Sequence, residues 1–115
     1  EIYRQVEKIE EVHDSVVVGQ PFENDERVLL FVQLKKDHLL NEPLISRIKQ
    51  TIRKNTTPRH VPAKIISVTA IPRTLSGKVV ELAVKQMVSG QSVHNKEAIA
   101  NPKVLEEFNP KRWNE

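Results

Sequence analysis

The chain has 115 residues, of which 38% are hydrophobic, and this length and composition favour one globular domain. Its 18 basic and 15 acidic residues are interleaved and its aromatic content is only 4%, which argues against a base-stacking nucleic-acid platform despite the net charge of +3. The absence of cysteine excludes disulfides and thiolate metal sites, and the four histidines form no helical ligand pair, so no metal site is expected.

The sequence also lacks the signals of secretion and of membrane insertion. No segment resembles a secretory signal, and no apolar run approaches the roughly 20 residues that a membrane-spanning helix needs. We therefore expect a cytoplasmic protein without a membrane partner. A helical pattern is already running at Glu1, with no initiator methionine before it, which favours a domain of a longer protein.

The first third of the chain predicts a helix followed by a β-hairpin. Apolar residues recur at helical spacing and predict a helix over about residues 1–10. The β-branched run Val16–Val18, ending at Gly19, predicts a strand buried on both faces. A turn over Gln20–Asp25 and an apolar strand over Arg27–Leu34 complete the antiparallel hairpin.

The middle of the chain predicts a helix and a third strand. Asn41-Glu42-Pro43 carries a capping side chain, an acid and a proline, which are typical of a helix start, and Asn55–Pro58 ends that helix. Its buried stripe is predicted to comprise Leu44, Ile45, Ile48 and Ile52. Pro58 and Pro62 bracket an extended linker, and Ala63–Thr69 is the third strand.

The segment Ile71–Lys78 is the most informative part of the sequence. Gly77 allows the chain to reverse tightly, so Lys78 is expected at the tip of a turn, as a compact charge suited to a phosphate or a carboxylate. Four apolar neighbours are expected to anchor the flanks of the turn in the core: Ile71, Leu75, Val79 and Val80. An ordinary surface turn ending in a solvated lysine also fits these residues.

The C-terminal part predicts an amphipathic helix that Ser89-Gly90 ends, and then a weaker pattern. Asn101-Pro102 can start a short helix that turns Val104, Leu105 and Phe108 inward, and residues 109–115 are expected to fray. The order of elements favours a small two-layer α+β domain. In it a three-stranded mixed sheet, with a lysine-bearing hairpin turn, is covered by helices on one face.

The motif Pro72–Lys78 (Pro-Arg-Thr-Leu-Ser-Gly-Lys) resembles the C-terminal lysine motif of the adenylate-forming acyl-CoA synthetases. The likeness covers about residues 1–108 and includes further segments: Glu1-Ile2-Tyr3, Val6-Glu7, Val16–Gly19 and Arg59–Ala63. The tail Ala98–Pro102 is similar to that of the acetoacetate-activating members in particular. Glu81 is also similar to these members, whereas many other members of the family carry arginine at this position. The resemblance implies a C-terminal lid domain over residues 1–90 and an extension over 91–115, which packs on the lid or is partly disordered.

The resemblance also implies roles for individual residues. Lys78 is the expected catalytic residue of adenylation, and Ser76 and Gly77 are expected at the nucleotide. Arg53 matches an arginine that contacts the CoA phosphate, although it could equally belong to the solvated face of its helix, with Lys54 and its other basic neighbours. Arg73 is expected to be exposed, with pairing to an acid or assistance to the nucleotide as the alternatives.

The implied enzyme is an AMP-forming acetoacetate–CoA ligase of lipid and fatty acid metabolism, with ATP, CoA and acetoacetate as substrates. This chain has no P-loop, because Ser76-Gly77-Lys78-Val79 lacks the residues that flank one. The ATP and Mg²⁺ sites are therefore expected on an N-terminal adenylation domain, against which this domain rotates as a lid, and the chain alone is not expected to be active. Two other interpretations remain. The first is another adenylating enzyme, either a ligase for a different short acyl chain or a domain that loads a carrier protein. The second is a basic module that binds nucleic acid or protein.

Overall fold

A three-stranded sheet forms the centre of the molecule in the computed structural model, which describes residues 2–93 and 96–113. The strands are β1 (Val12–Phe22), β2 (Asp25–Leu34) and β3 (Lys64–Ser67), in that order across the sheet. β1 and β2 form an antiparallel hairpin, and β3 lies parallel to β2. The predicted α+β class and mixed three-stranded sheet are confirmed.

Helices connect and follow these strands. The α-helices are α1 (Ile2–Val6), α2 (Glu42–Asn55), α3 (Glu81–Val88) and α4 (Pro110–Trp113). Short 3₁₀ helices span Pro58–His60, Lys96–Ala98 and Pro102–Phe108. Among the described residues no helix is long and apolar enough to cross a lipid bilayer.

Both faces of the sheet are covered by helices, because the central strand β2 is apolar on both sides. Leu30 and Val32 pack against α1 and α2, whereas Leu29 and Phe31 face α3 and the C-terminal tail. All four side chains are fully buried. The expectation of helices on one face is therefore wrong, and the sheet is the middle layer of three rather than one layer of two. A continuously apolar strand needs cover on both faces, so the apolar run Leu29–Val32 was the sequence signal for a sheet covered on both sides.

The β1–β2 hairpin turns over two residues only. Glu23 and Asn24 have φ of 49° and 64°, as the two-residue turn that best matches the twist of a hairpin requires. The predicted turn over Gln20–Asp25 is therefore too long, and β1 continues past Gly19, which pairs with Val28.

The helices α1 and α2 differ in how well local sequence defines them. α1 ends at Val6 rather than near residue 10, since the chain must turn to bring Val12 into β1 opposite Leu34. α2 begins as predicted, with the Leu44 N–H donating to Asn41 Oδ1 at 3.0 Å, and it buries Leu44, Ile48 and Ile52. The linker after α2 contains the 3₁₀ turn Pro58–His60 instead of being wholly extended.

The C-terminal tail packs into the core beside α3. α3 ends where predicted, and Val104, Leu105 and Phe108 of the following 3₁₀ helix are buried, which confirms their inward orientation. Phe108 lies 4.6 Å from Phe31 between ring centroids, and the Trp113 indole donates to the Phe108 carbonyl at 3.0 Å. The expected fraying is therefore wrong for residues 109–113, and 114–115 lie outside the described residues.

Candidate functional site

The lysine motif folds into a tight hairpin, as predicted. Arg73 pairs with Val79 in antiparallel fashion, and the Thr74 N–H donates to the Lys78 carbonyl at 2.8 Å. The loop between them has three residues and ends at Gly77, whose N–H donates to the Thr74 carbonyl at 2.9 Å. Gly77 has φ of 90°, a conformation that side chains disfavour, and this is the usual last position of a three-residue hairpin loop.

The tip of this hairpin presents Lys78 to solvent. Ser76, Gly77 and Lys78 are all exposed. The Lys78 ammonium makes no hydrogen bond or ion pair with residues 2–93 or 96–113, whereas its backbone N–H donates to Thr74 Oγ1 at 3.1 Å. The backbone of the lysine is therefore fixed while its charge is available to an anion from outside the domain.

Only part of the predicted apolar anchor of the turn is buried. Ile71 is buried, and Val79 and Val80 are half-buried. Leu75 is 82% exposed, so the expectation that it enters the core is wrong. It occupies the first position of the hairpin loop, where the chain has already left the core.

Arg73 holds the turn from the side instead of standing free in solvent. Its Nε and Nη2 donate to the Asp14 carboxylate at 2.8–3.0 Å, and its Nη1 donates to the Gly77 carbonyl at 2.6 Å. Asp14 lies at the start of β1, so this guanidinium joins the turn to the sheet. The Arg73 side chain keeps 39% of its surface exposed, so the expectation of exposure holds only in part, and the pairing with an acid given as an alternative occurs.

The C-terminal tail runs beside the same turn. The Ala100 N–H donates to the Arg73 carbonyl at 2.9 Å, and the Arg73 N–H donates to Asn101 Oδ1 at 3.3 Å. Thr74 also forms an antiparallel bridge with Ile99. Sequence reasoning missed this contact, although the segment Ala98–Pro102 had been singled out.

Glu81, the first residue of α3, is engaged by α1 rather than by the lysine. The Tyr3 hydroxyl donates to the Glu81 carboxylate and accepts from the Val17 N–H at 2.8 Å. Burial of the phenol and its hydrogen bond to Glu81 raise the pKa of Tyr3. An acid at this position therefore serves to join α1, β1 and α3.

These groups surround a cleft of about 570 Å³ between α1, the start of β1 and the lysine hairpin. Its lining combines apolar and ionisable side chains: Tyr3, Val6, Glu7, Val12, His13, Asp14, Ser15, Arg73, Val79 and Glu81. Four of its ionisable lining residues are already hydrogen-bonded in two pairs, Asp14 with Arg73 and Tyr3 with Glu81. The cleft is therefore a structural junction beneath the turn.

The structure does not bring Arg53 to Lys78. Arg53 is exposed at the C-terminal end of α2, and its guanidinium makes no hydrogen bond or ion pair within the described ranges. α2 packs on the face of Leu30 and Val32, while the lysine hairpin packs through Ile71 and Val79 on the opposite face. Nearby, His60 Nδ1 lies 2.9 Å from Thr57 Oγ1, which fits a local structural role. The two predicted ligand-binding groups thus belong to different faces of the domain.

The described part of the chain offers no cluster of three or more His, Asp or Glu side chains that could hold a metal ion.

Residues 2–78 match the model of a family described as the AMP-binding enzyme C-terminal domain. The chain belongs to this family. Over 108 residues it is 55% identical to acetoacetyl-coenzyme A synthetase of Rhizobium meliloti (strain 1021), covering 94% of the chain and 17% of that relative. Over 107 residues it is 43% identical to acetoacetyl-CoA synthetase of Gallus gallus, covering 92% of the chain and 16% of the relative.

A solved structure of acetoacetyl-CoA synthetase from Streptomyces lividans superimposes on the domain with a TM-score of 0.84 and 38% identity. The match covers 96% of this chain and 17% of that one. The chain therefore spans about a sixth of the length of these relatives.

Proposed function

We propose that the chain is the mobile C-terminal domain of an ATP-dependent, AMP-forming acetoacetate–CoA ligase. The observation that carries the proposal is an unpartnered lysine ammonium on a turn whose backbone is held on several sides, in a member of the AMP-binding C-terminal domain family. The choice of acetoacetate is supported by the relatives aligned over more than nine-tenths of the chain, which are named acetoacetyl-CoA synthetases.

In the first half-reaction, an acetoacetate oxygen attacks the α-phosphorus of ATP, and pyrophosphate leaves. Negative charge accumulates as the carboxylate approaches the triphosphate. Lys78 would hold the carboxylate and α-phosphate oxygens together and stabilise the charge of the transition state. Removing one such preorganised donor typically lowers the rate about 10²–10³-fold. Ser76 and Gly77 flank Lys78 at the exposed tip and would meet the nucleotide at the same approach.

In the second half-reaction, the CoA thiolate attacks the acyl carbonyl and AMP leaves. Arg53 would bind a phosphate of CoA, since a guanidinium can donate two parallel hydrogen bonds to phosphate. Its position on the opposite face from Lys78 supports a lid that presents one face in each half-reaction.

The acetoacetate, ATP and Mg²⁺ sites belong, in this proposal, to the N-terminal adenylation domain of the same polypeptide. The chain spans only 17% of a relative's length, so most of such an enzyme lies outside it. We further propose a cytoplasmic enzyme of lipid metabolism, without nucleic-acid or membrane partners.

The proposal is tested on the full-length enzyme by measuring acid-dependent exchange of pyrophosphate into ATP, and thioester formation with CoA, over a panel of short-chain acids. Acetoacetate should give the highest kcat/KM in both assays, with AMP and thioester formed in equal amounts. A higher kcat/KM for another acid would contradict the substrate assignment. Formation of ADP instead of AMP would contradict the reaction class.

A further inference from the structure

The tail beyond the family match lies directly against the lysine hairpin. The family match ends at Lys78, whereas Ile99, Ala100 and Asn101 come about twenty residues later. They meet the first strand of the hairpin through a bridge to Thr74 and through one backbone hydrogen bond, from the Ala100 N–H to the Arg73 carbonyl. The Asn101 side-chain amide adds two hydrogen bonds. Its Oδ1 accepts from the Arg73 N–H, and its Nδ2 donates to the Ile71 carbonyl at 3.4 Å.

Arg73 takes part in two of these restraints and joins them to the rest of the turn. Its backbone is held by the tail, and its guanidinium is held by Asp14 on β1. The same guanidinium donates to the carbonyl of Gly77, the residue just before Lys78. A displacement of the tail is therefore transmitted through Arg73, and through its neighbour Thr74, to the backbone that carries the lysine.

This arrangement matters because the ammonium of Lys78 has no partner of its own among the described residues. Only the backbone of the turn determines where the flexible side chain begins. A misplacement of about 1 Å at a reacting group can lower a rate about 10²-fold. The precision of the hairpin therefore determines how well the lysine reaches its target.

We propose that Arg73 and Asn101 are positioning residues for Lys78, so that the C-terminal tail sets the geometry of the lysine turn for adenylation. The proposal deepens the proposed function and rests on it. It assigns to the tail a role in the first half-reaction, beyond the packing of Phe108 and Trp113.

The test compares the two half-reactions in the full-length enzyme. Asn101→Ala should lower acetoacetate-dependent pyrophosphate exchange about tenfold to a hundredfold. It should leave thioester formation from pre-made acetoacetyl-adenylate nearly unchanged. Arg73→Lys, which keeps the charge but cannot make the bidentate contact with Asp14, should show the same selective loss. Lys103→Ala, an exposed substitution in the same tail, should change neither rate.

A second comparison separates positioning from general destabilisation. In the Lys78→Ala background, Asn101→Ala should cause no further loss of exchange, since residues that act as a unit are strongly non-additive. Equal loss of both half-reactions in Asn101→Ala would overturn the inference. So would a further loss of exchange when Asn101→Ala is added to Lys78→Ala, if it is as large as the loss that Asn101→Ala causes alone. Unchanged exchange in both Asn101→Ala and Arg73→Lys, with exchange lost in Lys78→Ala, would overturn the inference and leave the proposed function standing. Normal exchange in Lys78→Ala would overturn both.

Discussion

The hydroxyl of Tyr3 donates a hydrogen bond to the carboxylate of Glu81, 78 residues further along the chain. The same oxygen accepts from the Val17 N–H at 2.8 Å, so one phenol joins α1, β1 and α3. An arginine has no acceptor for a phenol proton, so this junction depends on the acid.

Tyr3 should remain protonated at a pH where an exposed tyrosine ionises. Its pKa is raised in the folded chain by burial and by the bond to Glu81, relative to the usual value of about 10. Because the unfolded chain then loses the proton first, this group stabilises the fold below about pH 10, and its contribution falls as the pH rises further. Tyr3 is the sole tyrosine, so the ultraviolet absorbance of tyrosinate reports it directly.

The matched control for this titration is Glu81→Gln, which should lower the midpoint because the negative charge is removed. In denaturant, both chains should titrate at the ordinary value. A native midpoint equal to the denatured one would contradict the Tyr3–Glu81 contact.

Gly77→Ala should destabilise the chain by about 1–2 kcal/mol, since an alanine at positive φ is strained. An added Cβ meets no atom within 4 Å at this position, so the cost is conformational and not steric. Gly90→Ala is a close control, because Gly90 also has positive φ and open surroundings. Equilibrium unfolding of the two variants should show similar losses.

In the full-length enzyme, only the Gly77 substitution should also lower pyrophosphate exchange. Gly90 ends α3 and does not belong to the lysine hairpin. Equal effects of the two substitutions on exchange would show that the strained turn has no special bearing on Lys78.

Phe108→Ala should lower the free energy of unfolding by about 3–5 kcal/mol, because it removes a fully buried ring from the core. The lost contacts include the ring of Phe31 on the central strand, whereas the Trp113 indole donates to the backbone carbonyl of residue 108, which alanine keeps. Leu39→Ala, at a side chain 82% exposed, should change stability by less than about 0.5 kcal/mol. Denaturant unfolding of the 115-residue chain measures both. A small loss for Phe108→Ala would mean that the tail is not part of the cooperative core.

Arg53→Ala in the full-length enzyme should raise the KM for CoA in the thioester-forming step and leave pyrophosphate exchange unchanged. The reason is the position of Arg53 on the face opposite to Lys78, with its guanidinium unpartnered within the described ranges. Lys36→Ala, another exposed basic residue, is the control. An unchanged KM for CoA would mean that Arg53 does not bind CoA and is only a solvated residue of its helix.

Local chemistry made part of the fold predictable. The cap at Asn41 and the glycine at position 77 satisfy requirements that depend on a few neighbouring residues, and both α2 and the lysine hairpin form as the sequence indicates. The buried run Leu29–Val32 also carried a signal for cover on both faces, which the prediction of one covered face did not use.

The contacts that complete the candidate site are not local. Arg73 and Asp14 are 59 residues apart, and Asn101 reaches Arg73 over 28. The pairing between strands and the path of the tail determine which of the chain's many charged residues meet. Sequence alone therefore identified the lysine but not the residues that hold it.

We propose that Lys78 acts in adenylation, and one comparison of two half-reactions tests this role most directly. The full-length enzyme with Lys78→Ala is assayed for acetoacetate-dependent exchange of pyrophosphate into ATP and for thioester formation from pre-made acetoacetyl-adenylate. We predict that exchange falls about 10²–10³-fold while thioester formation persists. Retention of normal exchange would contradict the claim and leave the hairpin of Ser76, Gly77 and Lys78 as an ordinary surface turn.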